Sequence, residues 1–483
     1  MTSHVSFRNS QGVASEGTLV RLTRQVVVFE VYNPYSIVQL SEVVSELRIL
    51  QGNRATYEGR AVITGLLNTG LILIVSASLV DPWNDLKNLE PGEVLRSFVR
   101  DFVSDWDEAT GRVSSSFRES VTNLRNYLQE LRRWLEHWET EAGIEAERDR
   151  GRVLDFVRDV DQEIAPRFAD LNGAFEDASQ SVSRKDLPYY RAFAQRELHP
   201  LLMASPFMYR AFNKPLGYAG DYQMVRMMLE EPWHGGNTFA KLVNASALRH
   251  DAPAAHRNRI ELLQQALSRE TFRTLSDQFA QAPNGSPTET KTGSGASGRR
   301  VRVLNIGCGP AEEIKRFVTR EPASSRVEFH LVDFNLETLE FVNSNLVKDA
   351  KAARPDVSIS TEQRSVHEIL KWAQETGDQS GEPFGDPFDL VYCAGLFDYL
   401  RDATCGFLIE LFYKWVRPGG LVLLTNVTPS HSSIAMMGMV LDWNLELRSQ
   451  EQMLALIPDL GEQRCYVDET GVNVFLEVRK PCT

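Results

Sequence analysis

A glycine turn follows an apolar β run in the last third of the chain and then opens a helix. The run Val301–Ile306 is followed by Gly307, Gly309 and Ala311 at alternate positions. Glycines here let the backbone approach a ligand where a Cβ atom would collide. A strand, a glycine turn and a helix N-terminus make a nucleotide-binding corner. The spacing Gly-x-Gly-x-Ala is tighter than the dinucleotide form Gly-x-Gly-x-x-Gly.

Three further elements follow the turn in the order that such a corner requires. The next strand, 327–332, ends at Asp333, about 20 residues past the turn, where these folds place the acid that bonds a ribose hydroxyl pair. A third strand, 388–393, runs into the polar segment 394–400. A Pro-Gly-Gly turn at 418–420 precedes the strand 421–426. Strands that alternate with helices indicate a largely parallel α/β sheet.

Taken together, these elements resemble the class I S-adenosylmethionine (SAM)-dependent methyltransferases over nearly all of residues 301–483. The resemblance implies that the glycine turn holds the methionine end of SAM and that Asp333 holds the ribose. The family contacts adenine in the loop at 363–368. The sequence departs from the family at Asn305, where Asp is usual, and at Ala311, where Gly is usual. The implied cofactor-binding residues of this region are Asn305, Gly307, Gly309, Pro310, Asp333, Phe334, Arg364, Ser365, Val366, Cys393 and Gly395.

The segment 213–225 combines two glycines, two tyrosines, an Asp and a Lys. One interpretation is a turn between helices with Asp221 as the N-cap. The alternative is a lid over the cofactor, in which the glycines allow close approach and polar side chains bind polar groups. In the lid interpretation Tyr218, Gly220 and Asp221 contact the cofactor. Lys214 and Tyr218 contact the substrate, and Tyr222 orients the reacting groups.

The segment 428–448 is rich in methionine and follows the last of these strands. Flexible methionines could line an apolar acyl pocket, although core packing is the commoner role of such a stripe. The substrate-binding candidates here are Met436, Met439, Trp443 and Arg448. His431 is a candidate base or a structural residue, and Asp398 and Tyr399 are candidate orienters after the strand at 388–393.

The segments at 217–222, 304–311 and 441–445 narrow the resemblance. The chain is similar, over roughly residues 190–483, to bacterial proteins of the biosynthesis of the quorum signal 3-hydroxypalmitic acid methyl ester. Those proteins are regarded as SAM-dependent methyltransferases that act on a fatty-acid carboxyl. The N-terminal part resembles the PilZ-like β-barrels found in some of them. PilZ domains that bind cyclic di-GMP carry Arg-x-x-x-Arg, whereas Arg21 and Arg24 are three apart and no second motif follows. Cyclic di-GMP binding is therefore not predicted, and a structural or dimerising barrel is.

The predicted activity is SAM-dependent O-methylation of the carboxylate of a small apolar, fatty-acid-like acid. An ionised carboxylate is already a nucleophile, so positioning in line and exclusion of water suffice. One alternative is N- or O-methylation of an amine, amino acid or hydroxyl group, with Asp398 or His431 as base. Another alternative, motivated by Asn305, Ala311 and the extra domain, is a regulatory protein that binds SAM without turnover.

The elements that position these residues suggest a chain of several parts. We predict a Rossmann-like class I methyltransferase sheet at 300–483, preceded by a small β-barrel at 1–85, a helical substrate or lid domain at 90–281 and a flexible linker at 282–299. An amphipathic stripe within 113–138 predicts a helix packed on other helices rather than a partner or membrane face. Its members are Phe117, Val121, Leu124, Leu128, Leu131 and Leu135.

Composition limits the classes of partner. The 483 residues are 42% hydrophobic and 24% charged, as in globular domains, and carry a formal net charge of −13. Such a charge argues against a nucleic-acid partner. Five scattered cysteines indicate reduced thiols and no metal site, and no signal peptide or membrane-spanning run is visible. A cytoplasmic protein with a small-molecule acceptor is expected.

Overall fold

The computed structural model of the chain describes residues 3–31, 38–51, 54–68, 72–81, 111–143, 150–280, 299–376 and 384–482, with scattered residues between 83 and 107. Two compact units are formed. Unit 1 is Met1–Pro253 with Ser432–Leu445, and unit 2 is Ala254–His431 with Glu446–Thr483. The four segments expected from the sequence remain predictions, and residues 282–298 of the predicted linker lie outside the described residues.

A closed barrel of six antiparallel strands begins unit 1, as the sequence predicts. The strands follow the order β1-β2-β3-β6-β5-β4. Successive side chains of a strand point to opposite faces, which explains the barrel wall. In β3 the side chains of Val27, Phe29 and Val31 are buried inside, and the residues between them are partly exposed. The strands are β1 Ser3–Arg8, β2 Ala14–Leu22, β3 Val26–Val31, β4 Val43–Gln51, β5 Arg54–Asn68 and β6 Leu73–Leu79.

After the barrel, the described residues of unit 1 up to Pro253 are mostly helical. The first begins at the N-cap Ser114, whose side chain accepts from the N–H of Phe117. The predicted stripe is its packed face, since every member is buried except the half-buried Leu131. No described helix has the length and apolarity to cross a bilayer. The helices are α1 Ser115–Glu141, α2 Arg150–Ser179, α3 Leu187–Leu202, α4 Pro206–Asn213, α5 Tyr222–Leu229 and α6 Thr238–Arg249.

A seven-stranded sheet forms the centre of unit 2 and confirms the predicted Rossmann-like architecture. Its order is β12-β13-β11-β10-β7-β8-β9, and all neighbours are parallel except the pairs that β13 makes. Strands buried on both faces explain the continuous apolar runs of the sequence. Successive residues such as Val303 and Leu304 accordingly enter two different cores. The strands are β7 Val301–Ile306, β8 Val327–Asp333, β9 Ser358–Gln363, β10 Phe388–Ala394, β11 Val416–Val427, β12 Glu462–Val467 and β13 Asn473–Arg479.

Helices cover both faces of this sheet. The long helix α7 supplies Leu263, Ala266 and Leu267 to one core. Its residues from Ala254 onward belong to unit 2. The helices are α7 Asp251–Ala280, α8 Glu312–Arg320, α9 Leu336–Val342, α10 Lys348–Ala353, α11 Val366–Thr376, α12 Asp402–Trp415 and α13 Gln450–Ala455. Because β7, β8 and β10 are parallel, their carboxyl ends meet at one edge of the sheet, which is where ligands bind in such folds.

Candidate functional site

The glycine turn after β7 has the conformation that its residue types suggest. Gly307 and Gly309 have φ values of +69° and +51°, and a Cβ atom added to Gly309 would meet nothing within 4 Å. Ala311, at the start of α8, has a φ of +50°. A non-glycine residue in this left-handed region costs about 1–2 kcal/mol. The space beside Gly309 is therefore open at the sheet edge, and Ala311 holds a strained backbone conformation.

A buried polar network supports the turn from below. The side-chain amide of Asn305 donates to Glu313 Oε1 at 3.2 Å and to the Tyr392 hydroxyl at 2.9 Å, and that hydroxyl donates to the same Glu313 oxygen at 2.7 Å. Burial raises the pKa of Glu313. Glu313, eight residues further along the chain, thus brings to this network a carboxyl group that Asn305 lacks. The side-chain oxygen of Asn305, Oδ1, has no hydrogen-bond partner among the described residues.

Asp333 lies where the sequence places it, at the carboxyl end of β8. Its Oδ2 accepts from the N–H of Gly309 at 3.1 Å, and its Oδ1 accepts from the N–H of Asn335 at 3.0 Å. Burial raises the pKa of Asp333 to about 6. The carboxylate is therefore tied directly to the glycine turn, and each oxygen keeps further acceptor capacity. Phe334 follows it in the turn between β8 and α9.

The loop after β9 is built as a helix start. The backbone N–H of Arg364 donates to the carbonyl of Asp333 at 3.0 Å, so this loop lies beside the acid. Ser365 and Glu368 cap α11 reciprocally, with three hydrogen bonds of 2.7–3.2 Å. Val366 packs on one core of the sheet. The Arg364 guanidinium pairs with Glu362. The adenine contact of this loop stays a prediction, and the Ser365 side chain serves as a cap.

Asp398 lies on a short turn, Phe397–Tyr399, after β10. Its Oδ1 accepts from the N–H of Val427 at 2.7 Å, and its backbone carbonyl accepts from the N–H of Glu446 at 2.7 Å. Burial raises the pKa of Asp398 to about 6, and the charges of Arg259 and Arg448 limit the rise. Cys393 is buried at the end of β10 just before this turn.

Arg448, a predicted substrate contact, braces this turn from within unit 2. The guanidinium is buried and donates to the carbonyl of Phe397 at 2.9 Å, to the carbonyl of Leu400 at 2.5 Å and to Asn426 Oδ1 at 2.7 Å. It also pairs with Asp402 at 2.8 Å. All of these partners are protein groups, so the geometry gives Arg448 a positioning role for the Asp398 turn.

Arg259, on α7, is a site residue that the sequence analysis did not identify. Its guanidinium lies against Gly395, since a Cβ atom added there would be 3.2 Å from both terminal nitrogens. Arg259 is buried, and its Nη1 has no hydrogen-bond partner among the described residues. Burial lowers the pKa of Arg259, and the charges of Asp398 and Glu313 oppose that effect. An always-charged donor with an unused N–H is suited to an anion such as a carboxylate.

A signal for Arg259 does exist in the sequence. It stands at helical spacing among Ala255, Leu263 and Ala266, which are all buried. A charged residue on the apolar face of a helix is rarely buried unless it is paired or binds a ligand. The helix lies outside the segment that carries the family motifs, and only the tertiary fold brings it to Gly395.

The predicted lid segment lies in unit 1. Asp221 is the N-cap of α5: its Oδ1 accepts from the N–H of Met224 at 3.0 Å, and the carboxylate pairs with Arg210 at 2.8 Å. The helix-linking interpretation of this residue therefore holds. Gly217 and Gly220 have φ values of +85° and +73°, so the segment turns sharply. Tyr222 begins α5, and its hydroxyl accepts from Gln223 at 3.0 Å.

Unit 1 brings Lys214 together with the methionine segment. The Lys214 ammonium is buried and donates to the carbonyl of Leu441 at 2.9 Å. Met436, Met439 and Trp443 are buried in the same unit. Tyr218 is half-buried in the turn that follows α4, and His431 is buried at the end of its stretch of unit 2. The predicted acceptor residues Lys214, Met436, Met439 and Trp443 thus lie in unit 1, whereas Asp333, Gly395 and Asp398 lie in unit 2.

The contact between Arg259 and Gly395 predicts a large effect of one methyl group. Gly395 has a φ of +97°, and a Cβ atom added there would lie 3.2 Å from two Arg259 nitrogens, so the guanidinium would have to move by a few tenths of an ångström. We expect Gly395→Ala to lower the free energy of unfolding by about 2 kcal/mol or more, through backbone strain and displacement of the guanidinium. Chemical denaturation measures this change in the free energy of unfolding. The control is Gly471→Ala, with a φ of +76° and open space around the added atom. Equal losses in both variants would contradict a packed contact at Gly395.

Comparison with known proteins gives fold-level likenesses. No protein-family model and no curated protein matches the sequence. Similar solved structures include a possible exported protein from Bordetella parapertussis, with 16% identity and a TM-score of 0.39 over 71% of this chain and 98% of that one. The N-methyltransferase NodS from Bradyrhizobium japonicum WM9 has 14% identity and a TM-score of 0.28, and the match covers 46% of this chain and 98% of NodS. Magnesium protoporphyrin IX methyltransferase from Synechocystis PCC 6803, with bound SAH, has 10% identity and a TM-score of 0.31. That match covers 53% of this chain and 91% of the methyltransferase. Because these identities and TM-scores are low, the activities of those proteins are not transferred to this chain.

Proposed function

We propose that the chain is a SAM-dependent methyltransferase that O-methylates the carboxylate of a small apolar, fatty-acid-like acid. The observation that carries the cofactor assignment is a pair of complementary groups at one sheet edge. Asp333 offers a buried carboxylate tied to the glycine turn, and Arg259 offers a buried guanidinium with an unused N–H against Gly395. SAM carries a ribose hydroxyl pair that matches the first group and a carboxylate that matches the second.

Each residue of this edge has a role in holding SAM. The Asp333 oxygens accept from the ribose hydroxyls, as strand-end acids do in such folds. Gly307 and Gly309 leave the backbone accessible, and Arg259 binds the methionine carboxylate. Ser365 and Val366 border the adenine, and Asn305, through its unpartnered oxygen, accepts from a polar group near the turn. Bound SAM supplies an electrophilic methyl group, so that an acceptor oxygen forms the new O–C bond while the C–S bond breaks and its electrons stay on sulfur.

The chain's own part in the reaction is placement. A carboxylate acceptor needs no base, and good orientation in a water-free site can contribute roughly 7–11 kcal/mol to catalysis. Asp398 and Tyr399 are proposed orienters at the end of β10, with Tyr222 and His431 as further candidates. The acceptor contacts are proposed among Lys214, Tyr218, Met436, Met439 and Trp443. The abundance of methionine favours an apolar acyl chain.

A second candidate is methyl transfer to an amine or hydroxyl group. It is favoured by the Asp398 carboxyl, whose pKa burial raises to about 6. A carboxylate with a pKa close to the working pH is a competent general base. In this case the Asp398 oxygen not held by Val427 takes the proton that the acceptor loses.

Turnover with methyl-labelled SAM distinguishes these candidates. The wild-type protein is incubated with a panel of fatty acids of graded length, and with amines and hydroxy compounds. We expect label in a product that alkali hydrolyses, as a methyl ester does. Label only in alkali-stable amines or ethers would replace the carboxyl assignment with the second candidate. SAM binding without transfer to any acceptor would favour a regulatory protein.

SAM binding is expected to depend on pH through Asp333. The folded-state pKa of about 6 lies above the ordinary aspartate pKa of 3.8, so the folded protein binds more protons than the unfolded chain between these values. Raising the pH across this window therefore lowers the stability of the ligand-free protein. The ionised form is the one that accepts from the ribose, so the Kd for SAM should rise about tenfold per pH unit below 6. Calorimetry from pH 5 to pH 8 measures this, and a flat profile would exclude Asp333 as the ribose ligand.

A further inference from the structure

The segment Ser432–Leu445 is inserted between two stretches of unit 2 but belongs to unit 1. It contains one short π-helical turn, Met436–Val440, and the buried Asp442, whose φ is +49°. Five helical residues are too few to be stable alone. The shape of the segment must therefore come from the groups around it.

A carboxylate holds the amino end of the turn. Glu176, on α2, accepts from the N–H of Ala435 and from the N–H of Met436, each at 2.8 Å. These amides have no partner within the turn itself, and a negative charge at a helix start is favourable. Glu176 is thus placed to fix where the turn begins.

Three side chains hold the carboxyl end, one on each successive carbonyl. Gln195 donates to Met439 at 2.9 Å, His199 Nε2 donates to Val440 at 2.8 Å, and Lys214 donates to Leu441 at 2.9 Å. Donors and positive charge belong at this end of a helix. The bond to a carbonyl also requires the His199 proton to be on Nε2.

The barrel takes part in the same arrangement. Ser41, between β3 and β4, donates to the carbonyl of Asn444 at 2.8 Å and accepts from the N–H of Asn444. Arg191 pairs with Asp442 at 3.2 Å and also donates to Ser78 of the barrel strand β6. We call Ser41, Glu176, Gln195, His199 and Lys214 the segment clamp.

We propose that the segment clamp consists of positioning residues for the methyl acceptor, and that the barrel contributes to acceptor selection through Ser41. This inference rests on the proposed function, which assigns Met436, Met439 and Trp443 to the acceptor. Each clamp residue binds main-chain atoms of that segment, and Gln195 also donates to Asp442 Oδ1 at 3.1 Å. None of these bonds goes to Met436, Met439 or Trp443 side chains, so the clamp sets where these three side chains lie by holding the backbone. All five clamp residues belong to unit 1, whereas the glycine turn, Asp333 and Arg259 belong to unit 2. We therefore expect the Kd for SAM to be independent of the clamp.

The test compares Lys214→Met and Ser41→Ala with the wild-type chain. Lys241→Met is the matched control, because Lys241 also donates to a backbone carbonyl, that of Gly235, outside the clamp. Hydrogen–deuterium exchange reports on the amides of 435–445. We expect exchange there to accelerate about tenfold in both clamp variants and to stay unchanged in the control. Ser41→Ala removes one hydroxyl, and so keeps the test decisive if the lysine variant does not fold.

Kinetics separate positioning from a merely structural role. With the acid that the wild-type chain methylates best, we expect KM for the acid to rise about tenfold in both clamp variants, with a smaller change in kcat and an unchanged Kd for SAM. Unchanged exchange would overturn the clamp, and faster exchange with an unchanged KM would overturn its role in acceptor selection. Failure of the wild-type chain to methylate any acid overturns the proposed function and with it the acceptor role, while the exchange data still decide whether the clamp holds the segment.

Discussion

Replacement of Arg259 by methionine is expected to weaken SAM binding about 100-fold, since hydrogen bonds to charged groups contribute about 1.5–3 kcal/mol and each 1.4 kcal/mol is tenfold. Methionine fills much of the same volume without charge. The carboxylate of SAM then has no partner in place of the guanidinium, and its desolvation is not compensated. Calorimetric titration of SAM measures the change.

A ligand without the carboxylate provides the internal control for Arg259. 5′-Methylthioadenosine has the adenine and ribose of SAM but no amino-acid group, so Arg259→Met should leave its affinity unchanged. Arg257→Met is the matched protein control, because Arg257 is an exposed arginine on the same helix. An equal loss of both ligands would mean that Arg259 supports the fold of the edge and does not bind the carboxylate.

Replacement of Asp333 by asparagine is expected to weaken the binding of both SAM and 5′-methylthioadenosine about 100-fold. The amide replaces one accepting oxygen with a donor and removes the charge that strengthens both bonds to the ribose hydroxyls. The two carboxylate oxygens of Asp333 accept from the N–H groups of Gly309 and Asn335, one each. In asparagine one of these oxygens becomes an NH2 group, which cannot accept, so one of the two bonds is lost. The glycine turn therefore loses part of its support as well.

The exposed Asp349 supplies the control for Asp333. It pairs with Lys315 at the surface, and Asp349→Asn should leave both affinities unchanged. The Asp333 assignment predicts loss of both ligands, whereas the Arg259 assignment predicts loss of SAM alone. A variant of Asp333 that lost SAM but kept methylthioadenosine would contradict the ribose role.

The part of the site that the sequence predicts is the part encoded locally. Three of its features depend only on neighbours in the chain: a glycine at positive φ, an acid at a strand end and a strand after a Pro-Gly-Gly turn. Gly307, Gly309 and Asp333 could therefore be placed from their positions in the sequence alone. The sheet followed from the same motifs, since apolar runs alternating with helices allow few topologies. The barrel followed from short β-rich runs.

What could not be predicted depends on contacts distant in sequence. Arg259 is more than 130 residues from Gly395 along the chain, and nothing local marks their contact. Asp221 and Ser365 have residue types that suit either a ligand or a helix cap, and only the folded backbone shows the caps. The bonds of Arg448 to three carbonyl oxygens, two of the main chain and one of Asn426, likewise appear only in the tertiary structure.

The most direct test of the central claim is titration of SAM into the wild-type chain at pH 7.5, with 5′-methylthioadenosine titrated in parallel. We predict one SAM site per chain with a Kd in the micromolar range and weaker binding of methylthioadenosine, by the contribution of the Arg259–carboxylate pair. Absence of SAM binding at millimolar concentration, or equal affinity for the two ligands, would contradict the account.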